Sequence, residues 1–166
     1  MSKKLDPDLI FKAKPAAQPG AHAPAGFVSK EYDEDIVNKE IKHLEDLERL
    51  SPGDLESYKL FELRQLLEEA GKYVPYWRTL FKDIGFEPSE ITSINELEQL
   101  PLLEKNIIKD NYSDFISEKA DLDQITYMTT GGSTGSPLKI LMNKESRSKS
   151  HAATRYYLKK AGITPG

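Results

Sequence analysis

A glycine- and hydroxyl-rich stretch lies near the end of the chain, in the sequence YMTTGGSTGSPLKILMN of residues 127–143. Seven consecutive positions hold three glycines and four hydroxyl residues, namely Thr129, Thr130, Gly131, Gly132, Ser133, Thr134 and Gly135. Glycine accepts positive φ and so lets several backbone N–H groups turn toward one point, while serine and threonine hydroxyls add further donors. Convergent donors of this kind bind phosphate and other oxyanions. The pattern therefore predicts a phosphate-binding loop.

Two β-prone runs, at residues 125–128 and 138–142, flank this stretch. Both are short, rich in Ile, Thr, Tyr and Leu, and separated by a segment full of turn-forming residues, which is typical of two neighbouring strands. We therefore expect the candidate loop to join two strands.

Other loops share these letters but need a different context. The Walker A pattern requires Gly-Lys-Ser/Thr after four intervening residues, but Ser136 follows Gly131 at that spacing and Pro137 follows Gly132. Residues 131–135 do satisfy the G-x-S-x-G of a nucleophile elbow, which needs a helix after the serine. Here a β-prone run follows, no Asp comes after Ser133, and His151 is the one later histidine, so a Ser-Asp-His triad in that order cannot be assembled. A turn that binds no ligand remains the third interpretation.

The segment TGGSTGSP of residues 130–137 resembles the phosphate-binding signature of the AMP-forming (adenylate-forming) acyl-CoA synthetase superfamily, a Ser/Thr/Gly-rich loop that ends in Thr-Gly-x-Pro. An upstream segment agrees with this resemblance: VPYWR at 74–78, Leu80-Phe81, Gly85 and LPLL at 100–103 before Lys105 are similar to the N-terminal region of the phenylacetate-CoA ligase and CapK-like branch. The two matches cover roughly residues 55–166 in the right order. Many superfamily members carry lysine directly after the motif proline, whereas here Leu138 stands there and Lys139 follows.

The resemblance implies a carboxylic acid ligase that uses ATP with Mg²⁺ and, as probable co-substrate, coenzyme A. It implies that the loop binds the β- and γ-phosphates through Thr130, Gly131, Gly132, Ser133, Thr134, Gly135 and Lys139. Such chemistry depends on positioning and on charge stabilisation at the phosphates rather than on a protein nucleophile. The resemblance also implies a catalytic lysine in a small C-terminal domain that has no counterpart here, so we expect no catalytic residue in this chain.

Composition narrows the classes of partner. The 166 residues carry 23 Lys and Arg against 27 Asp and Glu, a net charge of −4 without a basic stripe, which argues against nucleic acid. Cysteine is absent and the three histidines are scattered, which argues against disulfides and zinc. No signal-peptide pattern and no apolar run of membrane-spanning length occur in the sequence. The expected setting is cytoplasmic, with no metal site and no membrane span.

Periodicity and composition divide the chain into three predicted parts. Residues 1–34, rich in Pro, Gly and Ala, predict a flexible tail, and residues 35–121 a helical N-terminal region. Residues 122–166, with two strands and a helix, correspond to what the resemblance implies is the start of an α/β ATP-binding subdomain. The first predicted helix runs from Asp35 through Leu50, a second ends near Gly71, and a third runs from Pro75 to Gly85. A fourth runs from a capping box at Ser93 to Gln99. Two more cover residues 104–117, with an interruption near Asn111, and residues 145–161.

Two strands followed by a helix and a turn predict a further strand, because a two-stranded sheet is marginal in water. The fold class we expect is α/β: a helical region leading into the first strands and phosphate loop of an adenylate-forming ligase large domain, apparently incomplete. The first functional hypothesis is an N-terminal fragment of an AMP-forming carboxylate ligase, inactive alone, whose unfinished sheet edge predicts self-association. The alternative is a non-catalytic interaction or anion-binding module left from such an enzyme.

Overall fold

The structure is a computed structural model that describes residues 14–15, 32–130 and 138–163. Its helices are α1 (Glu34–Leu47), α2 (Pro52–Tyr73), α3 (Pro75–Ile84), α4 (Lys105–Asp110) and α5 (Lys144–Lys160). Its strands are β1 (Lys14–Pro15), β2 (Thr126–Thr129) and β3 (Lys139–Met142), and short 3-10 turns lie at Pro88–Glu90, Ile94–Gln99, Tyr112–Phe115 and Leu122–Gln124. The described residues are thus mostly helical with one small sheet, which agrees with the predicted α/β class. They form two compact units, a helical unit of residues 50–120 and a sheet unit that holds the rest.

Helices α2 and α3 are separated by a single residue in the helical unit. Ser51 caps α2 by accepting a hydrogen bond from the Asp54 N–H at 3.2 Å, and a proline follows at the first helical position. The end expected near Gly71 is confirmed to within two residues, since α2 continues to Tyr73 and the Val74 N–H still donates to the Ala70 carbonyl at 2.9 Å. Pro75 ends α2 because its ring disfavours helical geometry at the preceding residue, and it opens α3.

The core of the helical unit consists of Leu67, Phe81, Phe86 and Ile91, all less than a tenth exposed. Gly85 ends α3 as predicted, with φ of 66° in the left-handed region, and the Phe86 N–H turns back to donate to the Phe81 carbonyl at 2.9 Å. Trp77 packs against this core, and its ring centroid lies 5.8 Å from that of Phe81. Ile84, which the helical pattern places on the buried face, is 43% exposed.

Replacing Gly71 by alanine is expected to lower the free energy of unfolding by about 1 kcal/mol. The new Cβ would lie 3.0 Å from Cδ2 of the buried Phe81, and overpacking of this kind costs about 1–3 kcal/mol. The helix-propensity gain of about 1 kcal/mol from removing a glycine offsets only part of that cost. Urea unfolding should be compared with Gly53→Ala in the first turn of α2, where the nearest atom is 4.0 Å away. A Gly71→Ala protein more stable than wild type would contradict the close packing.

The later turns of the helical unit follow the sequence pattern closely. Ser93 and Glu96 form the predicted capping box, with the Ser93 hydroxyl accepting from the Asn95 N–H at 3.2 Å and the Glu96 carboxylate from the Ser93 N–H at 3.0 Å. The segment to Gln99 is a 3-10 rather than an α-helix. The interruption expected near Asn111 is confirmed, because α4 ends at Asp110 and a 3-10 turn follows.

In the sheet unit, α1 packs against α5 around the fully buried Val37 and Ala152. Ion pairs flank this contact, joining Arg155 to Glu34 at 2.8 Å, Lys159 to Glu45 at 3.2 Å and Lys160 to Glu48 at 2.5 Å. Exposed ion pairs of this type each contribute little to the free energy of unfolding. Their main effect is therefore to determine which faces of α1 and α5 meet. Helix α1 ends at Leu47 rather than at Leu50, which is 38% exposed.

The sheet has the order β1-β2-β3. Strand β1 pairs in parallel with β2, placing Lys14 beside Thr126 and Pro15 beside Tyr127. Strands β2 and β3 are antiparallel, with Thr126 opposite Met142 and Thr129 opposite Lys139. Proline suits β1 because an edge strand does not need every N–H for the ladder. Two residues inside the predicted tail therefore belong to the sheet.

The start of α1 is held by α5 through an aromatic stack. The Tyr32 and His151 rings lie 4.0 Å apart at 11°, and the buried Ser148 hydroxyl accepts from the Asp33 N–H at 2.8 Å. Burial, and then the positive charge of Arg155, lower the pKa of His151 below its usual range, against a smaller opposing effect of Glu34.

Acidification from pH 7 to pH 5 is therefore expected to lower the stability of the sheet unit. A histidine whose pKa is lowered by folding binds its proton more readily in the unfolded chain, so stability is lost as pH falls below the ordinary histidine pKa of about 6.5. Urea unfolding followed by circular dichroism at the two pH values measures the loss, and His151→Gln should reduce it. Equal pH dependence in wild type and His151→Gln would contradict the assignment.

Candidate functional site

The candidate phosphate loop lies between β2 and β3, whose four-residue ladder joins β-branched and long apolar side chains in antiparallel register. Beyond this ladder, the Thr130 N–H donates to the Leu138 carbonyl at 3.0 Å, and the Leu138 N–H donates to the Thr130 hydroxyl oxygen at 3.0 Å. Residues 131–137 therefore leave and rejoin the hairpin at two points that are hydrogen-bonded to each other. This closure at the base is what a loop of donors needs in order to act as one site.

Thr130 and Lys139 are the predicted site residues that the structure describes. Thr130 is half-buried at the base of the loop, and its hydroxyl oxygen accepts the Leu138 N–H, so its first role is to close the loop. Lys139 opens β3 opposite Thr129, one position from the Thr130 and Leu138 pair. The other predicted residues, Gly131, Gly132, Ser133, Thr134 and Gly135, lie outside the described residues.

The Lys139 ammonium contacts the ring of Tyr127, a residue that the sequence pattern did not assign to the site. Its Nζ lies 4.7 Å from the centroid of the Tyr127 ring, a cation–π distance. The two residues are diagonal neighbours on the antiparallel ladder, since Tyr127 pairs with Leu141 and Lys139 with Thr129. Tyr127 therefore holds the positive charge close to the strand pair that carries the loop.

The far end of the hairpin is fastened by Thr126 and Arg147. The Thr126 hydroxyl donates to the Met142 carbonyl at 3.3 Å across the two strands and accepts from Arg147 Nη1 at 3.0 Å. Arg147, in the first turns of α5, is only 5% exposed. It adjoins the buried stripe of Ser148, Ala152 and Tyr156, whose step of four residues is the signal in the sequence that could have identified it.

Comparison with known proteins finds two curated ligases that are similar to part of this chain. A phenylacetate-coenzyme A ligase of Pseudomonas putida is 29% identical over 97 residues, which are 58% of this chain and 22% of that protein. A phenylacetate-coenzyme A ligase of Aromatoleum evansii is 30% identical over 69 residues, 42% of this chain and 16% of that protein. No protein-family model matches the chain. The chain is thus similar to a coenzyme A ligase over about a fifth of such a ligase's length.

Within residues 32–130 and 138–163, no helix is both long enough and apolar enough to cross a bilayer.

Proposed function

We propose that this chain contributes the phosphate-binding segment of an ATP-dependent, AMP-forming carboxylate ligase similar to phenylacetate-CoA ligase, and corresponds to the N-terminal part of such an enzyme. One observation carries the proposal: a loop rich in glycine and hydroxyl residues, closed at its base by Thr130 and Leu138, occurs in a chain similar to two phenylacetate-coenzyme A ligases. Neither the composition of the loop nor the similarity to these ligases would suffice alone, because loops of this composition also occur in ordinary turns.

The proposed reaction has two steps. A carboxylate oxygen of the acid attacks the α-phosphorus of ATP, and the bond to pyrophosphate breaks to leave an acyl-adenylate. The thiol of coenzyme A, as its thiolate, then attacks the acyl carbonyl, and AMP departs. The acid is a small-molecule carboxylic acid, and ATP would be used together with Mg²⁺.

This chain's own part in the reaction is to bind the phosphates. The N–H groups of Gly131, Gly132 and Gly135 and the hydroxyls of Ser133 and Thr134 hold the β- and γ-phosphates as pyrophosphate departs. Preorganised donors of this kind lower the barrier because the developing charge meets dipoles that are already oriented.

The Lys139 ammonium adds positive charge at the start of β3, from its place beside the Tyr127 ring. Residues outside this chain complete the reaction, so we expect no acid-dependent AMP formation from these 166 residues alone.

Calorimetric titration of the purified chain with magnesium pyrophosphate and with MgATP tests the proposal. We expect a dissociation constant of about 1 mM or tighter for pyrophosphate, a binding free energy of about −4 kcal/mol. Inorganic sulfate is the control, and it should bind at least tenfold more weakly, since it has only one tetrahedral group to offer the loop (about 1.4 kcal/mol). Equal binding of sulfate and pyrophosphate would favour the alternative of a non-catalytic anion-binding module, and no binding of pyrophosphate would contradict the proposed phosphate-binding role of the loop.

A further inference from the structure

The hairpin that carries the candidate loop has little in its backbone to fix its register. Strands β2 and β3 contain four residues each. Tight two-residue turns set the register of a hairpin, but here seven residues, 131–137, separate the hydrogen-bonded ends Thr130 and Leu138. A slip of one residue would move every side chain of a strand to the opposite face of the sheet. Because the turn does not set the register here, other contacts must hold it.

Side-chain hydrogen bonds hold the two ends of this ladder. At the loop end the Thr130 hydroxyl accepts from the Leu138 N–H. At the other end the Thr126 hydroxyl bridges Arg147 and the Met142 carbonyl, at 3.0 and 3.3 Å. The Thr126 hydroxyl therefore bonds to its own cross-strand partner, Met142. Because Arg147 donates to the same hydroxyl, it fixes the direction in which the hydroxyl donates.

Arg147 is itself held firmly by its surroundings. It lies in the first turns of α5, directly after β3, and its backbone N–H donates to the Asn143 carbonyl at 3.1 Å. Its side chain is almost fully buried, and its Cζ lies 5.6 Å from the centroid of the Tyr32 ring, which stacks on His151. A rigid, planar guanidinium contacts a ring and donates to a hydroxyl through donors in a fixed fork, whereas a lysine ammonium is a compact point charge on a flexible stem and would not keep this geometry.

We propose that Arg147 is a positioning residue for the phosphate loop, acting through Thr126 to fix the register of β2 against β3. The effect on phosphate binding rests on the proposed function, whereas the effect on the hairpin does not. A hydrogen bond from a charged donor contributes about 1.5–3 kcal/mol, enough to change the population of a misregistered hairpin about tenfold or more.

The test compares Arg147→Lys with wild type by amide hydrogen exchange and by pyrophosphate titration of the full chain. We expect exchange of the Thr130 and Leu138 amides to become about tenfold faster or more, while the amide of Val37, which donates to the Asp33 carbonyl in α1, changes much less. Pyrophosphate affinity should fall about tenfold. Arg155→Lys, which changes an exposed arginine on the same helix, is the matched control and should leave both readouts unaltered.

Thr126→Val and Thr126→Ser provide a second comparison that leaves the buried arginine in place. The valine variant removes the bridging hydroxyl and should speed exchange at Thr130 and Leu138, whereas the serine variant keeps it and should restore wild-type protection. Loop amides that change no more than the Val37 amide in both Arg147→Lys and Thr126→Val would overturn the proposal. If wild type binds no pyrophosphate, the proposed function fails, and the exchange rates still decide the role of Arg147.

Discussion

The double variant Ser133→Ala/Thr134→Ala is expected to bind pyrophosphate at least about tenfold more weakly than wild type. Each hydroxyl is proposed to donate to a charged phosphate oxygen, and bonds to charged groups contribute about 1.5–3 kcal/mol each. Backbone N–H groups of the loop remain in the variant, so weakened rather than abolished binding is the expected result. Calorimetric titration with magnesium pyrophosphate gives the two dissociation constants directly.

Ser136→Ala is the matched control, because Ser136 occupies the variable position of the Thr-Gly-x-Pro motif. It removes a hydroxyl from the same loop and should leave the affinity within about twofold of wild type, less than 0.5 kcal/mol. Gly135→Leu approaches the same claim through the backbone, since a branched side chain would hinder close approach of a phosphate to the N–H groups. Unchanged pyrophosphate affinity in both the double variant and Gly135→Leu would remove the loop from the binding site.

Replacing Phe81 by alanine is expected to have the largest effect on stability, a loss of about 3–5 kcal/mol. The ring is 5% exposed and lies among Leu67, Phe86 and Ile91, with its centroid 5.1 Å from that of Phe86. Its removal takes away buried apolar surface and leaves a cavity among neighbours that relax only in part. Trp77, the one tryptophan of the chain, contacts Phe81, so urea unfolding followed by its fluorescence reports on the helical unit.

The matched control for this change is Phe61→Ala in α2, where the ring is 56% exposed. Truncating it should cost about 1 kcal/mol or less, because much of that surface already faces water. A Phe81→Ala protein within about 1 kcal/mol of wild type would show that the four-residue core does not hold the helical unit together.

Local signals predicted most of the helices and the hairpin. The capping box at Ser93, the stop at Gly85 and the break near Asn111 each depend on residues a few positions apart, and each is confirmed. Helix α2 runs two residues past Gly71, because an isolated glycine costs a long helix only about 1 kcal/mol and Pro75 is the stronger stop signal.

Long-range contacts were beyond the reach of the sequence pattern. Helix α1 was grouped with the region 35–121, yet it packs on α5, and their partnership depends on residues more than a hundred positions apart. Strand β1 has two residues, too few to show any periodicity. Its pairing depends on an open edge of β2.

In the candidate site too, the sequence pattern predicts the features that depend on neighbouring residues and not those that depend on long-range contacts. The loop composition indicated phosphate binding, and the flanking β-prone runs indicated its two strands. The contact of Lys139 with Tyr127 follows only from the register of the hairpin, since the two residues are diagonal neighbours. The burial of Arg147 does not follow from the composition of α5, because charged residues on a helix usually face solvent.

The central claim is that residues 130–139 hold phosphate, and the most direct measurement is a two-dimensional amide NMR titration of the ¹⁵N-labelled chain with magnesium pyrophosphate. We expect saturable shifts of the Gly131, Gly132 and Gly135 amides, with the Thr130 and Leu138 amides keeping their hydrogen bonds. Shifts confined to residues outside the loop, or no saturable shift at several times the expected dissociation constant of about 1 mM, would contradict it.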